Sequence, residues 1–125
     1  MSPLVLDVGN CGFDHSSIRR LLEREFSAEV EQANSQQSAL QALRDADYAL
    51  VLVNRKFDRT GEDGLSLIQA IKSAADLQST PVMLISNYEE YQSQAVEYGA
   101  EPGFGKAQLG DPATRAALAG LLENA

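Results

Sequence analysis

Residues 48–54 read Tyr48-Ala49-Leu50-Val51-Leu52-Val53-Asn54, and the next two positions are Arg55 and Lys56. The run has strand length, is rich in branched side chains and is apolar at successive positions. Both of its faces therefore require burial, which predicts a central strand covered on both sides. Residues 56–64 read as a loop, with Gly61 and Gly64 as turn residues. Leu65, Ile68 and Ile71 follow at helical spacing. The unit is strand, loop, helix. In open α/β sheets functional groups gather beyond the carboxyl ends of the strands, which puts Asn54 where chemistry is expected.

The same alternation extends in both directions. Residues 4–8 (LVLDV) form a short apolar strand with one acid, Asp7, inside it. Gly9-Asn10-Cys11-Gly12 is a loop, and Asp14 or Ser16 is the expected cap of a helix carrying Ile18, Leu21, Leu22 and Phe26. Residues 28–33 alternate like an edge strand, and Ser35 opens a helix with Ala39, Leu40 and Leu43 on its apolar side. Beyond the central strand a third helix is expected over 63–77. A strand follows over 81–86, with Pro81 at its first position, where no ladder donor is lost. Asn87 is the expected cap of a fourth helix that Gly99 ends. A weak fifth strand covers 101–104, and Asp111-Pro112 opens the last helix. Five strands separated by helix-length connections predict a parallel sheet with helices on both faces, a doubly wound α/β domain spanning 1–125.

The net charge of −8 argues against nucleic acid or an anionic membrane as the main partner. One cysteine excludes an intrachain disulfide. No apolar run approaches membrane-spanning length, and Met1-Ser2-Pro3 does not start a secretory signal, so a cytoplasmic protein is expected.

In this order and spacing several features resemble the response-regulator receiver domain, the (βα)5 flavodoxin-like module of two-component signalling. Asp63-Gly64-Leu65 matches the start of that family's third helix. Pro81-Val82-Met83-Leu84-Ile85-Ser86 matches its fourth strand with a terminal hydroxyl residue, Ala95 with Gly99-Ala100 the end of its fourth helix, and Lys106 the lysine after its fifth strand. The resemblance covers the whole chain and implies a strand order of 2-1-3-4-5. It also implies phosphoryl transfer to an Asp at the end of the third strand. In that chemistry Mg²⁺ is held by this Asp and two acids at the end of the first strand, and the lysine and the hydroxyl receive the phosphoryl group.

The chain departs from that pattern where the chemistry lies. The phosphoacceptor position is Asn54, and an amide is a poor nucleophile. The acidic pair falls on Gly9 and Asn10 if the first helix sets the register, or on Asp7 and Val8 if the strand does; the second register leaves Asp7 as the remnant of the acidic pocket. The loop after Asn54 is longer than usual and carries Phe57-Asp58 in place of the family's proline, and Ala107 replaces the proline after Lys106. The expectation is an atypical receiver, a pseudo-receiver, that is not an enzyme, takes no cofactor, binds Mg²⁺ weakly or not at all, and keeps Ser86 and Lys106 as remnants of the switch. The natural partner of Lys106 is then the carbonyl or amide at Asn54. Asp58 and Asp7 are the groups to suspect if phosphorylation persists.

Tyr88, Tyr91 and Tyr98 recur with Ala95 along the fourth helix. They read either as partial core packing or as a surface for a protein partner or a second copy, through the fourth helix, fifth strand and fifth helix. A competing reading is a thiol phosphotransferase or phosphocarrier using Cys11 in the first loop. Against it, tyrosine phosphatases of low molecular weight need an arginine at position 17, where this chain has Ser17. His15, the only histidine, lies beside Asp14 and two serines at a helix start and is expected to be exposed.

Overall fold

The computed structural model describes residues 2–123. Five strands, β1 (Leu4–Val8), β2 (Glu29–Ala33), β3 (Leu50–Asn54), β4 (Val82–Ile85) and β5 (Glu101–Phe104), alternate with α1 (Gly12–Phe26), α2 (Gln36–Asp45), α3 (Gly64–Ser73), α4 (Glu89–Glu97) and α5 (Pro112–Leu122). All strand pairs are parallel and the order is β2-β1-β3-β4-β5. The five alternations read from the sequence are therefore the ones that form.

Period-two alternation explains why the central strands are apolar on both faces. Leu6, Val8, Val51, Val53, Val82 and Leu84 face one core, where α2, α3 and α4 add Ala39, Leu43, Leu67, Ile68, Ile71 and Ala95. Val5, Leu50, Leu52, Met83 and Ile85 face the other, closed by Ile18 and Leu22 of α1 and Leu118 and Leu122 of α5. A sheet covered on both sides favours near-continuous apolar runs in its central strands. β2 lies at the edge and keeps its polar alternation.

Several boundaries differ from expectation. The N-cap of α1 is Cys11, whose Sγ accepts from the Asp14 N–H at 3.5 Å. The helix starts before Asp14, which stands in the first turn, where a carboxylate complements the helix dipole. α3 ends at Ser73 because Ala74 turns extended (ψ 123°). The Lys72 ammonium then donates to the Gln78 and Thr80 carbonyls at 2.9 and 2.8 Å and closes the connection to β4. Asn87 does not cap α4. The N-cap is Tyr88, without a side-chain bond, while the Asn87 Oδ1 accepts from the Ala107 N–H at 3.4 Å and ties the loop after β4 to the turn after β5.

Candidate functional site at the carboxyl edge of the sheet

β1 and β3 pair through Val8 and Val53, so Gly9 is the residue level with Asn54. The Asn54 side chain is committed to backbone. Its Nδ2 donates to the Gly9 carbonyl at 3.2 Å and to the Lys56 carbonyl at 2.7 Å. Only an amide, which carries hydrogens on nitrogen, makes both bonds; a carboxylate there would set its lone pairs against two carbonyl oxygens. The loop beyond is closed by the Phe57 N–H to Glu62 carbonyl and Gly64 N–H to Arg55 carbonyl bonds and by a Lys56–Asp63 bridge. Gly64 lies so close to the Asn54 carbonyl that a Cβ would overlap it, which is why glycine opens α3.

Phe57 is the best-buried side chain of this loop, 1% exposed, and its ring lies against Gly9. Gly9 has φ +83°, and a Cβ there would run into that ring. The position level with Asn54 therefore has room for no side chain, acidic or otherwise, while Phe57 stays in place.

Asp7 lies two residues before this level, about 7 Å along the strand, on the α1 face of the sheet. It is fully buried. The His15 Nδ1 stands 2.7 Å from its Oδ2, and the Asn10 Nδ2 donates to its Oδ1 at 2.5 Å. An ionised Asp7 accepts from His15 when Nδ1 carries the hydrogen. Burial pushes the Asp7 carboxyl above its ordinary range, and the His15 and Asn10 bonds pull it part of the way back. The expectation of an exposed histidine is thus corrected: the His15 side chain is 15% exposed because α1 sets it over the strand carboxylate. Asn10 is itself buried, and its Oδ1 has no partner among the described residues.

At the β4–β5 side, Ser86 directly follows β4 and is 9% exposed; its Oγ accepts from the Tyr88 N–H at 3.2 Å. The ladder between β4 and β5 shifts register between Met83 and Ile85, beside the Leu84 and Ser86 carbonyls. Gln92 of α4 answers them: its Nε2 donates to Leu84 and Ser86 carbonyls at 2.9 and 3.1 Å, and its Oε1 accepts from the Gly103 N–H at 3.1 Å. The Lys106 Nζ reaches the Asp14 Oδ2 at 2.8 Å rather than Asn54. That contact holds the Asp14 carboxyl below its usual range. Cys11 donates to the same carboxylate oxygen at 3.3 Å.

A cleft of about 350 Å³ opens between these two halves, with Asn54, Arg55, Lys56, Ser86, Tyr88 and Lys106 among its walls. The Arg55 guanidinium lies 4.3 Å from the Tyr91 ring centre, and Tyr91 meets Tyr88 edge to face at 5.9 Å. The tyrosines of α4 divide: Tyr91 and Tyr98 pack partly against the core, and Tyr88 is 64% exposed. Asp58 is exposed in the loop after β3, and its backbone N–H donates to the Gly9 carbonyl.

A Mg²⁺ ion needs near-octahedral oxygen ligands, with carboxylates among them. At this edge Asp7 is buried against His15 and Asn10, Asp14 is engaged by Lys106 and Cys11, Gly9 offers only backbone, and Asn54 presents its hydrogens to carbonyls. Among the described residues no three His, Cys, Asp or Glu side chains converge as metal ligands. The donor set does not fit the ion.

A parallel five-stranded sheet in this order, with a hydroxyl residue directly after β4 and a lysine following β5, defines a receiver-type α/β protein. The response regulator receiver domain model matches residues 14–108, and the chain belongs to that family. The match begins at Asp14, after β1 and its loop. The fold is similar to the signal receiver domain of the DNA-binding response regulator merR from Colwellia psychrerythraea 34H (TM-score 0.81, 23% identity, covering 98% of this chain and 99% of that one). It is equally similar to a sensor protein from Polaromonas sp. JS666 (TM-score 0.81, 18% identity, 98% and 97% covered). A third similar structure is a response regulator from Burkholderia pseudomallei that carries a phosphorylated aspartic acid and a calcium ion (TM-score 0.73, 22% identity, 98% and 68% covered). At these identities the likeness is one of fold. No curated protein sequence matches the chain.

Proposed function

We propose that this receiver domain works without phosphorylation, as a protein-interaction module of a two-component pathway, and catalyses no reaction itself. The observation that carries the reading is the Asn54 amide, whose two bonds to Gly9 and Lys56 carbonyls make the phosphoacceptor position a structural tie. The Phe57 ring against Gly9 and the burial of Asp7 support it, because they remove the remaining sites for a carboxylate cluster. Ser86 and Lys106 are remnants of the switch, turned to Tyr88 and Asp14. Lacking the ligands for Mg²⁺, the domain holds one arrangement and presents it constitutively. Its partner surface is the α4–β5–α5 face, where exposed Tyr88 offers apolar area with a polar tip; the partner is a signalling protein or a second copy of the chain.

Incubation with acetyl phosphate and Mg²⁺, read by intact mass, tests the first claim. The mass is expected to stay unchanged. An adduct of one phosphoryl group would overturn the reading, and peptide mapping would then decide between Asp58 and Asp7. For the second claim, Tyr88→Ala is expected to weaken self-association or partner capture without altering the fold.

A further inference from the structure

Three large hydrophobic side chains are exposed among the described residues: Phe13, Tyr88 and Val96. They fall on two helices of opposite surface charge. Phe13 lies in the first turn of α1 and is 77% exposed; Tyr88 is the N-cap of α4, and Val96 lies in its last turn. On α1, Phe13, Ser17, Arg20 and Arg24 recur at helical spacing and share one face. That face borders a groove. A hollow of about 180 Å³ beside Phe13 and Ser17 adjoins one of about 300 Å³ beside Arg20, Leu21 and Arg24, and both share Ser17 and Leu109. Arg20 is exposed and in no ion pair among the described residues. Its Nε donates to the Ser16 carbonyl at 3.4 Å, which leaves the two terminal nitrogens of the guanidinium for a partner.

α4 is the complement of this face. It carries Glu89, Glu90 and Glu97 and no basic residue. None of the three is in an ion pair among the described residues. The spacing also matches. Phe13 to Arg20 and Glu89 to Val96 are both seven-residue steps, about 10.5 Å along a helix axis. Laid antiparallel, the two helices set Val96 on Phe13 and Glu89 on Arg20 at once, and bring Tyr88 toward Arg24. Copies of a chain of net charge −8 repel unless faces of opposite sign meet, and α1 offers the acidic α4 such a face.

We propose that the α1 groove is the docking site for α4 of a second copy, so that the chain associates head to tail. α1 closes one core of the sheet and α4 the other, so the two faces lie on opposite sides of the molecule. Their contact joins unlike surfaces and leaves one of each free at the ends, the heterologous arrangement. The inference rests on the reading that α4 is an interaction face, and it names the partner. One helix on one groove is a smaller contact than the about 1,000 Å² of stable complexes, so association is expected at about 0.1 mM.

Sedimentation velocity of the intact chain, from about 10 μM to about 1 mM, tests it. The mean mass is expected to rise with concentration beyond that of a dimer. Arg20→Glu and Glu89→Lys should each weaken association about tenfold, since an attractive surface pair becomes a repulsive one. The first substitution makes the chain more acidic and the second less, so net charge does not account for both losses. An equal mixture of the two variants should regain most of the association, because α1 of each then meets α4 of the other with opposite sign. Phe13→Ser, at an exposed position that leaves the core intact, should weaken it as well. A monomer at every concentration, association indifferent to either charge reversal, or a mixture no better than its parts would overturn the proposal. Intact mass after acetyl phosphate keeps the readings apart. A monomer without a phosphoryl adduct would fail this inference alone and give α4 to another protein; head-to-tail association with an adduct would fail the function reading alone.

Discussion

The two halves of the sheet's carboxyl edge keep the residue types of the receiver pattern to different degrees. On the β4–β5 side the family's residue types remain: a hydroxyl residue follows β4, a lysine follows β5, and Gln92 bonds across the register shift between them. On the β1–β3 side the backbone path remains, but the side chains form an apolar plug and a buried hydrogen-bonded Asp7–His15 contact. Phe57 lies against Gly9, Asn54 ties two carbonyls, and Asp7 is turned under α1 to His15. The difference teaches that the receiver fold does not depend on its carboxylate cluster. Two cores on either side of the sheet hold the fold, and the site at its edge is free to become structure.

This contrast can be broken by removing what replaced the cluster. Phe57→Ala empties a buried volume that Gly9 cannot fill, and is expected to cost about 4 kcal/mol in chemical denaturation. A cost under about 1 kcal/mol would mean the ring is no plug. His15→Ala leaves a buried carboxylate with Asn10 alone and is expected to cost about 3 kcal/mol at neutral pH. The pH dependence has a definite sign. Burial raises the folded-state pKa of Asp7, so its contribution favours folding below its ordinary value of 3.8 and is lost as pH rises through the raised value. Removing His15 takes away an interaction that pulls that pKa down. The deficit of the variant should therefore grow from acid to neutral pH, and a deficit that shrinks as pH rises would contradict the pairing. On the β4–β5 side the effects are smaller. Ser86→Ala removes one acceptor from the Tyr88 N–H and is expected to cost about 1 kcal/mol, measurable by the same denaturation and insensitive to pH.

The fold was legible because the period-two branched strands and the caps at Ser35 and Asp111-Pro112 all agree with one topology. The site was legible only as a set of departures. Asn54 reads in sequence as a lost nucleophile, but its ties to Gly9 and Lys56 depend on the path of the loop. Asp7, an acid inside an apolar strand, is a visible signal that a donor must lie over it. The sequence does not say that the donor is His15, eight residues on, because that depends on α1 starting at Gly12 under a Cys11 cap instead of at Asp14 or Ser16. Lys106 likewise finds Asp14 rather than position 54 because the early start of α1 brings that carboxylate to the sheet edge. Gln92 carries no local signal at all; its task arises from the register shift between β4 and β5.

The central claim is that the edge has been rebuilt, and that more than a nucleophile was lost. Asn54→Asp tests it most directly, with intact mass followed over time in acetyl phosphate and Mg²⁺. If the site is a structural tie, the restored carboxylate meets the Gly9 and Lys56 carbonyls, finds no acidic partners for the metal, and the mass stays unchanged while the protein loses stability. Stoichiometric gain of one phosphoryl group by a stably folded Asn54→Asp protein would contradict the account and leave a receiver that differs from its family by one atom's identity at the acceptor.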